Sequence, residues 1–150
     1  MGLGDANSAG FVHGGVVMKL CDEAAGVASI RHCRGRVVTA AMDRMTFILP
    51  VNVGDLLTCS ATVNAAWRTS MEVGVRVEAE NPRSGERRHT STAYLTMVAV
   101  DDKGAPVPVP PLLAESEAER RRQHEAELRR QNRLAEREQI LAHRSGEDGS

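Results

Sequence analysis

Between residues 55 and 80 the chain alternates with a period of two. Leu57, Cys59, Ala61, Val63 and Ala65 fall on one parity, and Leu56, Thr58, Ser60, Thr62 and Asn64 on the other. After Trp67–Thr69 the alternation resumes, with Met71, Val73, Val75, Val77 and Ala79 set against Glu72, Gly74, Arg76, Glu78 and Glu80. Period two sends successive side chains to opposite faces, so this stretch predicts two antiparallel strands with one buried and one wet face. Two more strands are predicted on either side, at about Arg36–Phe47 and Glu86–Val100. Pro50–Gly54 and Asn81-Pro82-Arg83-Ser84-Gly85 supply the turn chemistry between them.

Ahead of the strands, Gly14 to about Arg31 reads as one helix. Val17, Leu20, Cys21, Ala24, Ala25, Val27 and Ala28 surround most of its circumference, which predicts a largely buried helix. Aromatic residues are 3% of the chain and hydrophobic residues 41%, so Val, Ala, Leu and Met must fill the core. One helix followed by a long antiparallel meander predicts an α+β domain whose sheet curls around the helix. A single helix covers only part of such a sheet, so a second copy is expected to complete the burial. The domain is expected over residues 1–110, and residues 111–150 as a charged tail. Pro106, Pro108, Pro110 and Pro111 make a stiff linker before it. From Glu115 to about His143 the few apolar residues predict a solvated, partly frayed helix.

Several classes of function are disfavoured. The formal net charge of -1 argues against nucleic acid as a partner. No apolar run reaches the roughly 18 residues of a membrane helix, and Met1–Asp5 lacks the pattern of a signal peptide. Cys21, Cys33 and Cys59 are odd in number without a CxxC, which suits a reduced cytoplasmic protein and supplies no metal site. No GxSxG elbow, P-loop or GxGxxG is present.

The chemistry concentrates in residues 5–24. Gly14 and Gly15 open the helix, where free N–H groups and a partial positive charge can hold a carbonyl oxygen; a tight turn is the plainer reading. Asp22 stands in an apolar helix, where a carboxylate is costly unless paired or used. It is either a general base or part of an exposed stripe with Lys19 and Glu23. Asn7 either orients a water or carbonyl or belongs to a turn. His13 either donates a hydrogen bond or simply begins the helix. Asp22 lies seven residues after Gly15, about 10 Å along the axis. It therefore cannot easily serve an oxyanion at its own helix terminus, whereas antiparallel helices across a dimer axis would bring it to the partner's glycines. Cys21 has no histidine near it in sequence and is read as inert packing.

The run Asp5-Ala6-Asn7 through His13-Gly14-Gly15 to Met18-Lys19-Leu20-Cys21-Asp22-Glu23-Ala24, continuing through Arg31-His32-Cys33, the strand at 36–47 and Leu49–Asp55, resembles the hot-dog acyl-CoA thioesterases of bacterial short-chain and cytosolic type. The resemblance covers about residues 5–110 and implies a hot-dog fold and hydrolysis of acyl-CoA to fatty acid and CoA. No cofactor is implied, since CoA is part of the substrate. It gives Asp22 the role of catalytic carboxylate, as base or as nucleophile, and Asn7 that of a catalytic asparagine from the partner. Gly14 and Gly15 become the backbone site that polarises the thioester. His13 and the turn Arg68-Thr69-Ser70 are expected at the substrate, the turn against CoA. Arg83, Arg87 and Arg88 are either a phosphate-binding cluster or a solvated surface group. Dimers, and hexamers built as trimers of dimers, are expected. Relatives usually carry a strand before the Asp-Ala-Asn loop, so either the true start lies upstream of Met1 or a missing first strand is expected here. A non-catalytic acyl-CoA sensor is the competing function. A hot-dog dehydratase would need a histidine-based site that this helix lacks.

Overall fold

In the computed structural model, described over residues 11–148, Gly14–Cys33 forms helix α1 and four strands follow: β1 (Val37–Phe47), β2 (Leu56–Ala66), β3 (Ser70–Glu80) and β4 (Arg87–Ala99). The strands make one antiparallel sheet in the order β1-β4-β3-β2. A second helix, α2, spans Glu117–Asp148. The chain divides into two units, residues 1–112 and 113–150. The first unit is the hot-dog architecture expected from the sequence, an antiparallel sheet with one helix laid across it.

Alternation in the sequence becomes burial in the sheet. Met71, Val73, Val75, Val77 and Ala79 of β3, with Ala93, Leu95, Met97 and Ala99 of β4, form the buried inner face. Val17, Cys21 and Ala25 of α1 join them in one core cluster. Each fully buried Val or Leu contributes roughly 1.5–3 kcal/mol, so the two central strands hold most of the core.

The helix differs from expectation. Its buried residues are Val17, Cys21, Ala25 and Ser29, a single stripe spaced by four. Met18, Val27 and Ile30 stay 41%, 53% and 50% exposed. A helix lying on one face of one sheet has only one side to cover, so the rest of its apolar circumference stays open within a single chain. Ser29 keeps its place in the stripe because its hydroxyl donates to the Ala25 carbonyl at 2.6 Å. The helix ends where Arg34 adopts a left-handed conformation and its N–H bonds the Ile30 carbonyl at 2.7 Å.

Glu72 is a second departure. It falls on the wet parity of β3 yet is buried. The pairing of β2 with β3 slips between Val63 and Ala65, and Asn64, at that slip, is buried with its Nδ2 donating to Glu72 Oε1 at 3.1 Å. Gly74 leaves the room: a Cβ there would stand 2.7 Å from Asn64 Nδ2. Gly74→Ala is therefore expected to push the amide off Glu72 and cost about 1–3 kcal/mol, read as a lower urea midpoint at fixed protein concentration. An unchanged midpoint would mean that Asn64 can move aside at no cost.

The loop from Ile48 to Asp55 is tied down at several points. Ile48 and Leu49 N–H groups reach the Thr90 carbonyl, and Val12 N–H reaches the Val51 carbonyl at 2.9 Å. Gly54, with φ 94°, makes the turn that L side chains resist. Buried Asp55 accepts from the Asn52 N–H at 2.8 Å and from Arg88 Nη2 at 2.9 Å. The same Arg88 nitrogen reaches the Pro50 carbonyl at 3.4 Å. Arg88 is thus a strut inside the fold and is not free to meet a phosphate. Arg87 lies 3.9 Å from Glu80, so the Arg83–Arg87–Arg88 stretch does not act as one open cluster.

In the tail unit, α2 begins two residues later than expected because Ser116 caps it. Its Oγ accepts the Glu119 N–H at 3.1 Å, and Glu119 Oε2 returns to the Glu115 N–H at 3.0 Å. This is a reciprocal capping arrangement close to the usual box. Leu128, Leu134, Ile140 and Leu141 remain exposed along it.

Candidate active site

His13 is the N-cap of α1 and its side chain makes no capping hydrogen bond. The first turn contains no acid. The amides of Gly14 and Gly15 therefore open at the positive end of a 20-residue helix whose own first turn carries no carboxylate. Gly14 is closely approached: a Cβ there would sit 3.1 Å from Phe47 Cζ. No described residue comes within 4 Å of the same position on Gly15. Beside this turn is a cleft of about 410 Å³ lined by Val12, Gly14, Val17, Phe47, Ile48, Leu49, Pro50 and Val51. It falls in the usual size range of small-molecule sites. Phe47, Ile48 and Leu49 are 48%, 55% and 41% exposed, an apolar patch continuous with the helix terminus.

Asp22 sits in the third turn of α1, half-buried. Its Oδ1 accepts a hydrogen bond from Thr39 Oγ1 at 2.5 Å. The pairing of β1 with β4 explains why Thr39 is there. Register slips occur between Thr39 and Ala41 and again between Met42 and Arg44. The inward positions accordingly move from Val37 to Met42 and then Met45. Thr39 shares the parity of Val37 ahead of the first slip, so it points toward the helix. Bulges commonly re-aim side chains in this way beside functional sites. Thr39 carries no signal in the sequence, because a threonine in a strand is ordinary and only the bulge and the crossing helix give it a partner.

Cys21 lies next to Asp22 in sequence but points into the core. Its hydrogen bond with Cys59 first, and burial second, hold its thiol far above the ordinary range. It stays protonated at neutral pH and is no nucleophile.

The remaining expected residues lie apart. The turn Arg68-Thr69-Ser70 joins β2 to β3, and its backbone is used internally: Thr69 and Arg68 carbonyls accept from Ala99 and Val109 N–H groups at 3.1 and 2.8 Å. Along β4, Phe47 pairs at Ser91 and Ser70 at Val98, seven residues or about 23 Å away. Within one chain, then, the apolar cleft and this turn occupy opposite ends of the sheet. Asp22 does not line the cleft either. Asn7 lies outside the described residues. Among the described residues, no cluster of three or more His, Cys, Asp or Glu side chains is arranged to hold a metal ion, and no helix is long and apolar enough to cross a membrane.

Residues 9–86 match the model of the thioesterase superfamily. The chain belongs to that family. Cytosolic acyl coenzyme A thioester hydrolase of Rattus norvegicus is 38% identical over 131 residues, covering 86% of this chain and 34% of its own length. The chain thus spans about a third of that relative. Among solved structures, an apo-hexameric acyl-CoA thioesterase superposes with a TM-score of 0.86 at 40% identity, covering 91% of this chain and 87% of the other. An acyl-CoA hydrolase from Staphylococcus aureus, solved with butyryl coenzyme A and coenzyme A, gives 0.83 at 32% identity over 95% and 89%. Variants of that hydrolase have been solved with a threonine, an asparagine or an aspartate replaced by alanine. The likeness to these solved structures therefore extends beyond the matched segment, over nearly the whole of this chain.

Proposed function

We propose that this thioesterase-superfamily chain hydrolyses acyl-CoA thioesters to free acid and CoA, with each active site built from two subunits. The observation that carries this reading is the Asp22 carboxylate fixed by Thr39 on a helix whose N-terminal amides open onto an apolar cleft. Spacing adds support. In the Staphylococcus hydrolase the altered aspartate stands fifteen residues after the asparagine and the threonine seventeen after the aspartate, as Asp22 stands to Asn7 and Thr39 to Asp22 here.

Thr39 donates to Oδ1 and leaves Oδ2 to work. Its own Gly14 and Gly15 lie about 10 Å away along the helix, so in a dimer of antiparallel helices Asp22 faces the partner's pair instead. The partner's amides polarise the thioester carbonyl. Asp22 either draws a proton from water as it attacks the carbonyl carbon, or attacks that carbon itself to give a mixed anhydride that water then opens. In both routes the carbon–sulfur bond breaks, CoA leaves as a thiolate and is protonated, and the negative oxygen is held at the helix terminus until the carbonyl re-forms. Asn7 orients the carbonyl or the water. His13 and the Arg68–Ser70 turn contact CoA, the turn serving a site on another subunit because its own cleft is too distant. The apolar sides of α1 left open in one chain suit burial in a dimer, and the hexameric neighbour suits a higher assembly. The reaction uses no added cofactor, and a cytoplasmic location follows the cytosolic relative.

Thiol release from straight-chain esters between acetyl-CoA and stearoyl-CoA tests the reading. Release of CoA from at least one is expected. Tight binding of these esters without any release would instead make the chain a sensor. Thr39→Val is expected to lower kcat about tenfold to a hundredfold, the worth of one hydrogen bond to a charged group. Thr39→Ser should recover most of it. Equal turnover in the Val and Ser variants would show that the hydroxyl does not hold the base.

A further inference from the structure

The cleft beside Gly14 has a shape that the hydrolysis reading leaves unexplained. Its walls include Val12, Val17, Leu49 and Val51, and Phe47 lines it against Gly14 at the helix terminus. The Phe47 ring lies so near Gly14 that a single added methyl carbon would be in tight contact with it. The backbone that carries this ring is held in place. It ends β1, paired at Ser91, and the next two residues hang from the Thr90 carbonyl. Behind the loop, Arg88 joins Asp55 to the Pro50 carbonyl.

We propose that this cleft seats the acyl chain and that Phe47 is its specificity-determining residue, selecting acyl groups that are unbranched next to the carbonyl. The inference rests on the assignment of the Gly14–Gly15 amides to the thioester oxygen. With the oxygen on those amides, the first carbons of the acyl chain must pass the face of the nearest side wall, which is Phe47. A straight chain passes along the ring and covers its exposed apolar surface. A methyl branch or an aromatic ring on the carbon next to the carbonyl needs the volume that the ring fills. The occupant is an acyl chain because the cleft is lined by aliphatic side chains and one ring and is continuous with the only end of α1 that can hold an oxyanion. Selection acts beside the carbonyl, not at the far end of the chain.

The test compares hexanoyl-CoA with 2-methylbutanoyl-CoA and benzoyl-CoA on the assembled wild-type protein, Phe47→Ala and Phe47→Leu. In wild type, kcat/KM favours hexanoyl-CoA. In Phe47→Ala that preference is expected to fall at least tenfold, in the range that a change of a few carbons in an apolar pocket commands. Phe47→Leu falls between them, and decides the matter if the Ala variant does not fold. A preference that stays constant across folded variants while hexanoyl-CoA is still turned over would overturn the role of Phe47 and leave the hydrolase reading standing. Absence of turnover by wild type on every ester would instead remove the reading on which the inference rests.

Discussion

Asp22→Asn is expected to lower kcat for thioester hydrolysis by about a hundredfold to ten-thousandfold, the usual contribution of a positioned general base. The amide is isosteric and can still meet Thr39, whose hydroxyl donates to Oδ1 in the native protein. Asp22 is half-buried, so the fold has little reason to fail. The substitution removes the basic oxygen and little else. KM should change far less than kcat, because in the proposed reaction the carboxylate acts on the water and the reacting carbon and not on CoA. Turnover within a few-fold of wild type in a folded Asn variant would remove Asp22 from the chemistry. Single-turnover hydrolysis in oxygen-18 water then separates the two routes in the native protein. Direct attack by water labels the first acid released, whereas an anhydride opened at the aspartyl carbon leaves the first label in Asp22.

Arg88→Met acts on stability through a different mechanism. Arg88 and Asp55 side chains are 19% and 6% exposed at a separation of 2.9 Å. Removing the guanidinium takes the 2.9 Å ion pair from a buried carboxylate that keeps the Asn52 N–H. Breaking a buried pair from one side costs about 3–5 kcal/mol, which lowers the thermal midpoint by roughly 10 °C for a domain of this size. The double variant Asp55→Leu with Arg88→Met should recover a large part of that loss, because no charge is then left buried. A single Arg88→Met variant that melts with wild type would show that the pair adds nothing. Any change in activity in these variants should follow the loop, since Val51 of that loop both lines the cleft and receives the Val12 N–H at the entry to α1.

Much of the fold was legible in local pattern. Met71 to Ala79 announce a strand and its buried face because side-chain direction alternates with each residue. The helix from Gly14 was equally plain in its small and apolar residues. Less visible was how much of the helix one chain buries. The sequence shows apolar residues around the whole circumference, but a single sheet offers one surface, so only the stripe from Val17 to Ser29 is covered.

Composition and periodicity by themselves determined the strands, the helix, the inner face of the sheet, and the segment in which the Gly14–Gly15 amides and Asp22 could carry chemistry. These are properties of neighbours in sequence, governed by backbone geometry and side-chain polarity over a few residues. Tertiary structure alone decided that Thr39 holds Asp22, that Glu72 is buried against Asn64 over Gly74, that Arg88 braces Asp55, and that Phe47 leans on Gly14. Each of these pairs two residues on different elements or across a turn. Such pairings depend on strand register, on one-residue slips that turn a side chain to the other face, and on the angle at which the helix crosses the sheet. No local preference encodes those three quantities, because they are set by packing of the whole domain.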